Sequence, residues 1–256
     1  MRPEYGGFVE FSFPPHRIAV NMPDVGSLLS EVRRRLRGGE GFALATINLD
    51  HLVKLARDPG FRDTYAAQDL VCADGNPIVW LSRLARQRVT LVPGSDMVVP
   101  LASLAAREGA PIALMGSTDA ALEEAAEVLQ DRIAGLQIAA RIAPPMGFDP
   151  TGPEARRILL DIEASGARLT FVALGAPKQE AFAAIGRTVT PHMGFASIGA
   201  GLDFLAGRQQ RAPEWVRAIA MEWAWRMLSN PRRLARRYLD CALILPGHAL
   251  QAWRQR

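Results

Sequence analysis

Polar side chains follow two apolar runs in the first third of the chain, at points where a strand would end. Asp74 and Gly75 come directly after Leu70–Ala73, and Thr46 and Asn48 close an earlier apolar run. A carboxylate at a strand end, followed by a glycine that admits a ligand, is well positioned to act as a general base. The same aspartate could instead cap the helix that follows it, and the threonine and asparagine could be turn residues. The pattern makes Asp74 a candidate base and leaves the capping alternative open.

A third polar stretch, Phe171–Glu180, has the pattern of an anion-binding turn. Its apolar run stops at Gly175, and Pro177 is a residue type favoured in the first turn of a helix. A buried strand followed at once by a helix leaves backbone N–H groups unpaired, where anions bind. Lys178 and Gln179 add a cation and an amide beside them. An ordinary strand-to-helix turn has the same pattern, so this stretch alone does not decide between the two.

Apolar runs alternate with helical patterns over most of the chain, which predicts the sheet that must position these residues. This order of units predicts an α/β fold: a Rossmann-like wound, mostly parallel sheet with helices on both faces. Ligands of such sheets bind at the carboxyl ends of the strands. The predicted strands are Phe8–Phe13, Arg17–Val20, Phe42–Ile47, Leu70–Ala73, Arg88–Val92, Pro111–Met115, Gln137–Ile142, Leu169–Leu174 and Phe195–Ile198.

The composition is that of a globular protein and disfavours several classes of site. No apolar run in the 256 residues reaches the ~20 that a membrane span needs. The two cysteines and four histidines are scattered without metal-ligand spacing. The sequence contains no Gly-x-Ser-x-Gly, no P-loop, no Gly-x-Gly-x-x-Gly after a strand and no Asp-x-Asp. A bound diphosphate would therefore have to be neutralised by N–H groups and basic side chains.

The segment after residue 206 differs from the rest in pattern and in charge. Residues 207–256 contain ten arginines, no lysine and three acids, whereas residues 1–206 contain 20 bases and 23 acids. Four of the five tryptophans also lie in this segment. Basic charge favours nucleic acid or an anionic membrane as partner, and tryptophan favours the membrane interface. We predict an α/β domain at 1–206 and a helical appendage at 207–256, with helices near Pro213–Ser229 and Pro231–Leu245.

An ordered set of motifs resembles one family, the bacterial WecG/TagA/CpsF glycosyltransferases, which form glycosyltransferase family 26. The resemblance runs from about Thr46 to Tyr238, and the ordered set is far more specific than any single motif. The motifs are Thr46-x-Asn48, Asp74-Gly75 with Trp80, Gly94-Ser95-Asp96, Gly175-Ala-Pro-Lys-Gln-Glu180, Gly199-x-Gly-x-Asp-Phe204, Arg211-Ala-Pro-x-Trp215, Glu222-Trp223 with Arg226, and Pro231-Arg-Arg with Arg236-Arg237-Tyr238.

Members of this family add N-acetylmannosamine, its uronic acid or a related hexose from a UDP-sugar to a sugar carried on a lipid diphosphate. The resemblance implies that Asp74 removes the proton of the acceptor hydroxyl while that oxygen attacks the anomeric carbon and inverts it. Thr46, Asn48 and Gln179 would line the same pocket. Family members often carry an arginine where this chain has Leu91. The further substrate-binding residues that the motifs suggest are Gly75, Arg88 (the basic residue nearest to Leu91), Asp96, Gly175, Lys178, Glu180 and Gly199.

The resemblance also implies a role for the appendage at the membrane. It would close over the active site and bring arginines to the lipid diphosphate and the UDP leaving group, which guanidinium groups suit because they bind phosphate in a bidentate manner. The implied partners are a UDP-sugar donor, a polyprenyl-diphosphate-linked glycan acceptor and an anionic membrane surface, without nucleic acid. The candidate arginines are Arg211, Arg226, Arg232, Arg233, Arg236 and Arg237.

The sequence therefore predicts an inverting, metal-independent glycosyltransferase of polysaccharide assembly that needs no cofactor beyond its UDP-sugar co-substrate. The amino terminus has no apolar core of the kind that a secretory signal requires, so the expected location is cytoplasmic and peripheral, at the inner face of the cell membrane. The favoured donor carries an N-acetylmannosamine-type hexose, and UDP-glucose or a UDP-uronic acid is the first alternative. A non-catalytic protein that binds nucleotides or RNA is the more distant one.

Overall fold

Six parallel strands form the central sheet, and a separate antiparallel hairpin precedes it. The computed structural model describes residues 9–209, 212–213, 215–216, 221–229 and 231–256. The hairpin consists of β1 (Glu10–Phe13) and β2 (His16–Ala19). The sheet consists of β3 (Phe42–Ile47), β4 (Leu70–Ala73), β5 (Ile112–Gly116), β6 (Ile138–Ile142), β7 (Leu169–Ala173) and β8 (Gly194–Ser197), in the spatial order β4-β3-β8-β7-β5-β6.

Helices flank this sheet, which confirms the predicted α/β fold. Every residue of β3, β4, β5 and β8 is buried, as expected for parallel strands, whose apolar runs are continuous because both faces are covered. The helices are α1 (Val25–Gly38), α2 (Leu49–Arg57), α3 (Pro59–Ala66), α4 (Asn76–Leu84), α5 (Val98–Arg107), α6 (Asp119–Arg132), α7 (Pro153–Ala164), α8 (Lys178–Val189), α9 (Gly201–Leu205), α10 (Glu222–Ser229) and α11 (Pro231–Trp253), with a 3₁₀ turn at Gly94–Met97.

The prediction of a strand at Arg88–Val92 is wrong. This segment is an extended loop between α4 and the 3₁₀ turn. Its backbone bonds go to two different segments, since the Thr90 N–H donates to the Pro23 carbonyl and the Val92 N–H donates to the Ala73 carbonyl, both at 2.8 Å. Because these two hydrogen bonds go to different segments, the run does not pair along one neighbouring strand. It therefore forms no strand, although its sequence pattern is that of one.

The helix α11 extends beyond the predicted Pro231–Leu245 and continues through Pro246 to Trp253. A proline inside a helix removes one backbone hydrogen bond, which is why the sequence suggested an earlier end. The extra turns bury Ala252 in the apolar cluster that also contains β1 and α4. The predicted helix at Pro213–Ser229 falls partly outside the described residues; its described part includes a helical pair at Trp215 and Val216 and the helix α10.

Candidate active site

The carboxyl ends of four neighbouring strands bring together most of the predicted site residues. Asp74 follows β4, Asn48 follows β3, Gly199 follows β8 and Gly175 follows β7. These four strands lie side by side in the sheet. The candidate site is therefore one edge of the sheet, built from the loops that leave these strands.

Asp74 lies half-buried at this edge and faces an amide from the neighbouring strand. Its backbone N–H donates to the Ile47 carbonyl at 2.8 Å, which continues the pairing of β3 with β4 beyond the last strand residue. The side-chain Nδ2 of Asn48 lies 3.4 Å from its Oδ2. The N-cap residue of α4 is Gly75, which has a φ of +106° that favours glycine, rather than Asp74. The carboxylate thus stands at the edge of the sheet, next to a residue without a side chain.

Asn48 has its orientation fixed by the start of α2. Its Oδ1 accepts a hydrogen bond from the His51 N–H at 3.1 Å, and its own N–H donates to His51 Nδ1 at 3.2 Å. These reciprocal bonds form a capping box. Because the oxygen of the amide is used by the cap, the NH₂ group is the end that faces Asp74.

Gln179 and Glu180 lie under the same edge, in the first turn of α8. The Gly199 N–H donates to Gln179 Oε1 at 3.0 Å, and Gln179 Nε2 donates to Glu180 Oε1 at 2.8 Å. Glu180 is completely buried, whereas the motif pattern suggests a substrate contact. Its carboxylate contacts protein groups, so any effect that it has on a substrate is indirect.

Tyr65 on α3 packs near this acid. Burial raises the pKa of its phenol well above the usual value, and the charges of Glu180 and Asp74 raise it further. The phenol therefore stays protonated at neutral pH. Gln68 also contacts this residue, because its Nε2 donates to the backbone carbonyl of Glu180 at 3.1 Å.

Lys178 holds the loop between β6 and α7. Its Nζ donates to the carbonyl of Phe148 at 2.8 Å. Hydrogen bonds from Thr151 lower the pKa of Asp149, and the charge of Lys178 lowers it further. Sequence analysis made Lys178 a candidate substrate-binding cation, and in the structure its hydrogen bond goes to a backbone carbonyl.

The 3₁₀ turn packs closely over β3 and β8 and carries Asp96 to the same edge. A Cβ atom on Gly94 would lie 3.0 Å from the Ser197 carbonyl oxygen and 3.4 Å from Thr46 Cγ2, so this close approach depends on glycine. Thr46 is buried at the end of β3. The turn therefore closes the edge on the side of α9.

The remaining basic candidates are spread over two places. Arg88 is exposed in the loop that leads to the 3₁₀ turn, and Arg232 and Arg236 are exposed on α11. Arg237 contacts Asp50 of α2, with 2.9 Å between Nε and Oδ1. Arg211 and the side chains of Arg226 and Arg233 lie outside the described residues.

A groove between α2, α3 and α11 adjoins the turn before α8. It has a volume of about 490 Å³, and its lining includes both acidic and basic side chains. Lys54 bridges its walls, because its Nζ lies 2.7 Å from Asp50 Oδ2 and donates to the Ala176 carbonyl at 3.2 Å. The lining residues are Asp50, Val53, Lys54, Arg57, Asp58, Phe61, Pro177, Arg236, Arg237 and Asp240.

Sequence reasoning missed His51 and Lys54. A signal for the first was present, because His51 occupies the third helical position after Asn48, where a capping box places its second side chain. No local signal indicates that Lys54 reaches the Ala176 carbonyl, since this contact joins segments more than a hundred residues apart.

Within the described ranges, no three His, Cys, Asp or Glu side chains cluster as metal ligands. Cys72 and Cys241 are free and buried, and burial raises the pKa of Cys241 to about 11. The described helices include none that is long and apolar enough to cross a membrane.

A family model described as Glycosyl transferase WecG/TagA/CpsF family matches residues 15–256, nearly the whole chain.

Proposed function

Because the chain belongs to the glycosyl transferase WecG/TagA/CpsF family, we propose that it moves an N-acetylmannosamine-type hexose from a UDP-sugar to a polyprenyl-diphosphate-linked sugar. Membership makes the protein a glycosyltransferase of polysaccharide assembly, with a nucleotide-sugar donor and a glycan acceptor. The observation that carries the proposed chemistry is the Asp74 carboxylate at the end of β4, beside the Asn48 amide and a glycine.

Asp74 acts as the general base in this proposal. It takes the proton of the acceptor hydroxyl as that oxygen forms a bond to the anomeric carbon. The bond from that carbon to the UDP oxygen breaks at the same time, and its electron pair leaves with UDP. Attack from the side opposite to UDP inverts the anomeric centre. Gly75 leaves space beside the carboxylate, because it carries no side chain.

The negative charge of the leaving UDP needs compensation, which we assign to backbone N–H groups and basic side chains without a metal ion. α8 begins at Lys178, three residues after Gly175, and the start of a helix offers N–H groups of the kind that bind phosphate. Guanidinium groups of the appendage supply positive charge in this proposal. They are the six arginines Arg211, Arg226, Arg232, Arg233, Arg236 and Arg237.

The exposed face of α11 supports a peripheral location at the cytoplasmic side of the membrane. Arg232, Arg236, Leu239, Leu243 and Leu250 are exposed and recur at helical spacing, so they share one face of the helix. Two arginines at one end and three leucines along the rest suit anionic lipid head groups and the acyl boundary beneath them. This face, together with the exposed Trp215 and Trp253, is the surface on which we expect the protein to meet lipid.

The donor sugar is the least constrained part of the proposal. UDP-glucose or a UDP-uronic acid would allow the same chemistry, because the base and the leaving group are unchanged. A single side chain that meets the acetamido or carboxylate group decides between them. The acceptor is expected to be the same in each case.

A UDP-release assay tests the proposal. Purified protein would be incubated with UDP-N-acetylmannosamine, UDP-glucose or a UDP-uronic acid, together with a polyprenyl-diphosphate-linked sugar. We expect acceptor-dependent UDP release that falls about 1,000-fold in Asp74→Asn, because the amide cannot take a proton. The matched control is Asp161→Asn, which changes an exposed carboxylate on α7 and should keep wild-type turnover. Normal turnover by Asp74→Asn would exclude this residue as the base, and no release with any donor would contradict the proposal.

A further inference from the structure

Three buried polar side chains lie directly behind the candidate site and are not part of the chemistry described above. His51 comes from α2, and Gln179 and Glu180 come from α8. Their exposed fractions are 5%, 4% and 0%, respectively. A completely buried carboxyl group is unusual, because desolvation is unfavourable for it and an apolar side chain of similar volume is often at least as stable. Its presence here needs a reason other than stability.

The capping box selects the tautomer of His51. Its Nδ1 accepts a hydrogen bond from the Asn48 N–H, so this nitrogen is the acceptor of the ring. Nε2 is then the nitrogen that carries the N–H group. Nε2 lies 3.6 Å from Glu180 Oε1. This separation is longer than a hydrogen bond, and the contact is that of an N–H dipole facing a carboxylate.

A second set of bonds reaches the same carboxylate oxygen from the other side. Gln179 is held at both ends, since its Oε1 accepts from the Gly199 N–H and its Nε2 donates to Glu180 Oε1. Glu180 Oε1 is thus the point at which the Asn48–His51 unit and the Gln179–Gly199 unit meet. The first unit ends on Asp74 through the Asn48 amide.

We propose that Glu180 and His51 form a buried positioning pair that holds the amides of Asn48 and Gln179, and through Asn48 the Asp74 carboxylate, in the geometry required for glycosyl transfer. Neither residue touches a substrate. The pair links the loops after β3 and β4 to the loops after β7 and β8, so it fixes both halves of the site relative to each other. This inference rests on the proposed function.

Two substitutions of Glu180 separate positioning from stability. Glu180→Leu keeps a similar volume and removes the acceptor, whereas Glu180→Gln keeps a carbonyl oxygen that both donors can reach. We expect Glu180→Leu to lower kcat by about 30-fold, in the range that a small displacement of a catalytic group produces, with a donor KM within about threefold of wild type. Glu180→Gln should restore most of kcat. The Tm of Glu180→Leu should fall, because Gln179 Nε2 would stay buried without its acceptor, whereas Glu180→Gln should keep a near-native Tm. We therefore compare kcat at a temperature well below the Tm of both variants.

A substitution of His51 gives a second line of evidence if Glu180→Leu folds poorly. His51→Asn keeps an acceptor oxygen at the place of Nδ1, so it preserves the cap, and it removes the group that faces Glu180. We expect a kcat lower by about threefold to tenfold, less than for Glu180→Leu because this contact is longer.

The outcomes are distinguishable from failure of the proposed function. If wild type is active and Asp74→Asn is not, wild-type kcat in both Glu180→Leu and His51→Asn overturns the positioning pair. An equal loss of kcat in Glu180→Gln and Glu180→Leu, with both variants folded at the assay temperature, also overturns it. Absence of UDP release from wild type with every donor contradicts the proposed function itself and removes the basis of the inference. A lower kcat in Glu180→Leu that is folded at the assay temperature, with recovery in Glu180→Gln, supports it.

Discussion

The sheet edge and the appendage hold their functional side chains in different ways. At the edge, Asn48 and Gln179 are each fixed by a backbone N–H group, and the side chains of His51 and Glu180 behind them are buried. On α11, Arg237 and Asp240 are held by ion pairs with α2, in which the arginines are largely open to solvent. Exposed ion pairs contribute little individually and are screened by salt, whereas a buried polar group that loses its hydrogen-bond partner is costly. We therefore expect single atoms to matter at the edge and total charge to matter in the appendage.

The largest expected effect in either region is a loss of vesicle binding when charge is removed from the exposed face of α11. Arg232→Ala combined with Arg236→Ala should weaken binding to vesicles that contain phosphatidylglycerol by about 30-fold, from about 1 kcal/mol for each basic residue near an anionic surface. Co-sedimentation with vesicles measures this, and raising the salt concentration should reduce the difference.

The matched control is Arg156→Ala combined with Arg157→Ala, which removes two exposed arginines from α7. This variant should bind vesicles as wild type does. Equal losses in the two double variants would mean that net charge, rather than the face of α11, determines binding.

A smaller effect tests the sheet edge. Asn48→Ala removes the cap of α2 and the amide beside Asp74, so it should lower stability by about 1 kcal/mol, or Tm by about 2–4 °C, and kcat by about tenfold. Thr118→Ala provides the comparison, because Thr118 caps α6 and follows β5, which lies four strands from β4. It should show a similar decrease in Tm with an unchanged kcat.

Melting curves and UDP-release kinetics on both cap variants separate the two roles. A kcat decrease in Thr118→Ala as large as that in Asn48→Ala would mean that the loss of any helix cap lowers kcat. The specific role of the Asn48 amide would then be contradicted.

The sequence was sufficient to locate the edge but not the groups behind it. The fold and the positions of Asp74, Asn48 and Gln179 follow from apolar runs that end in polar residues, because parallel strands present their carboxyl ends together. The burial of Glu180 could not be predicted in this way. It depends on the packing of α8 against β3 and α3, which are more than a hundred residues away along the chain.

The appendage was predicted less well, for a related reason. Its basic charge is visible in the composition, whereas the length of α11 depends on tertiary burial of Ala252 beyond Pro246. The division at residue 206 and the contacts of Arg211 remain predictions. A local sequence pattern indicates the secondary structure that a segment prefers. It does not indicate which distant residues the segment will pack against.

The smallest expected effect concerns the ion pair between Asp240 of α11 and Arg57 of α2, whose two hydrogen bonds measure 2.8 and 2.9 Å. The Arg57 guanidinium holds the pKa of Asp240 below its usual value. A carboxyl group with a lowered folded-state pKa adds stability above its unfolded-state pKa, and this stability disappears as the pH falls through the folded-state pKa. Asp240→Asn should therefore lower Tm at pH 7 by at most about 2 °C, since one residue of the pair is well exposed.

The wild-type and Asp240→Asn melting temperatures should converge as the pH falls below about 4, where the wild-type carboxylate takes up its proton. High salt at pH 7 should produce part of the same convergence, because it screens the pair. Asp161→Asn should not change Tm at pH 7. A Tm difference for Asp240→Asn that persists at low pH would show that the side chain acts through packing rather than charge. The contrast between an appendage held by charge and an edge held by buried hydrogen bonds would then not apply to α11.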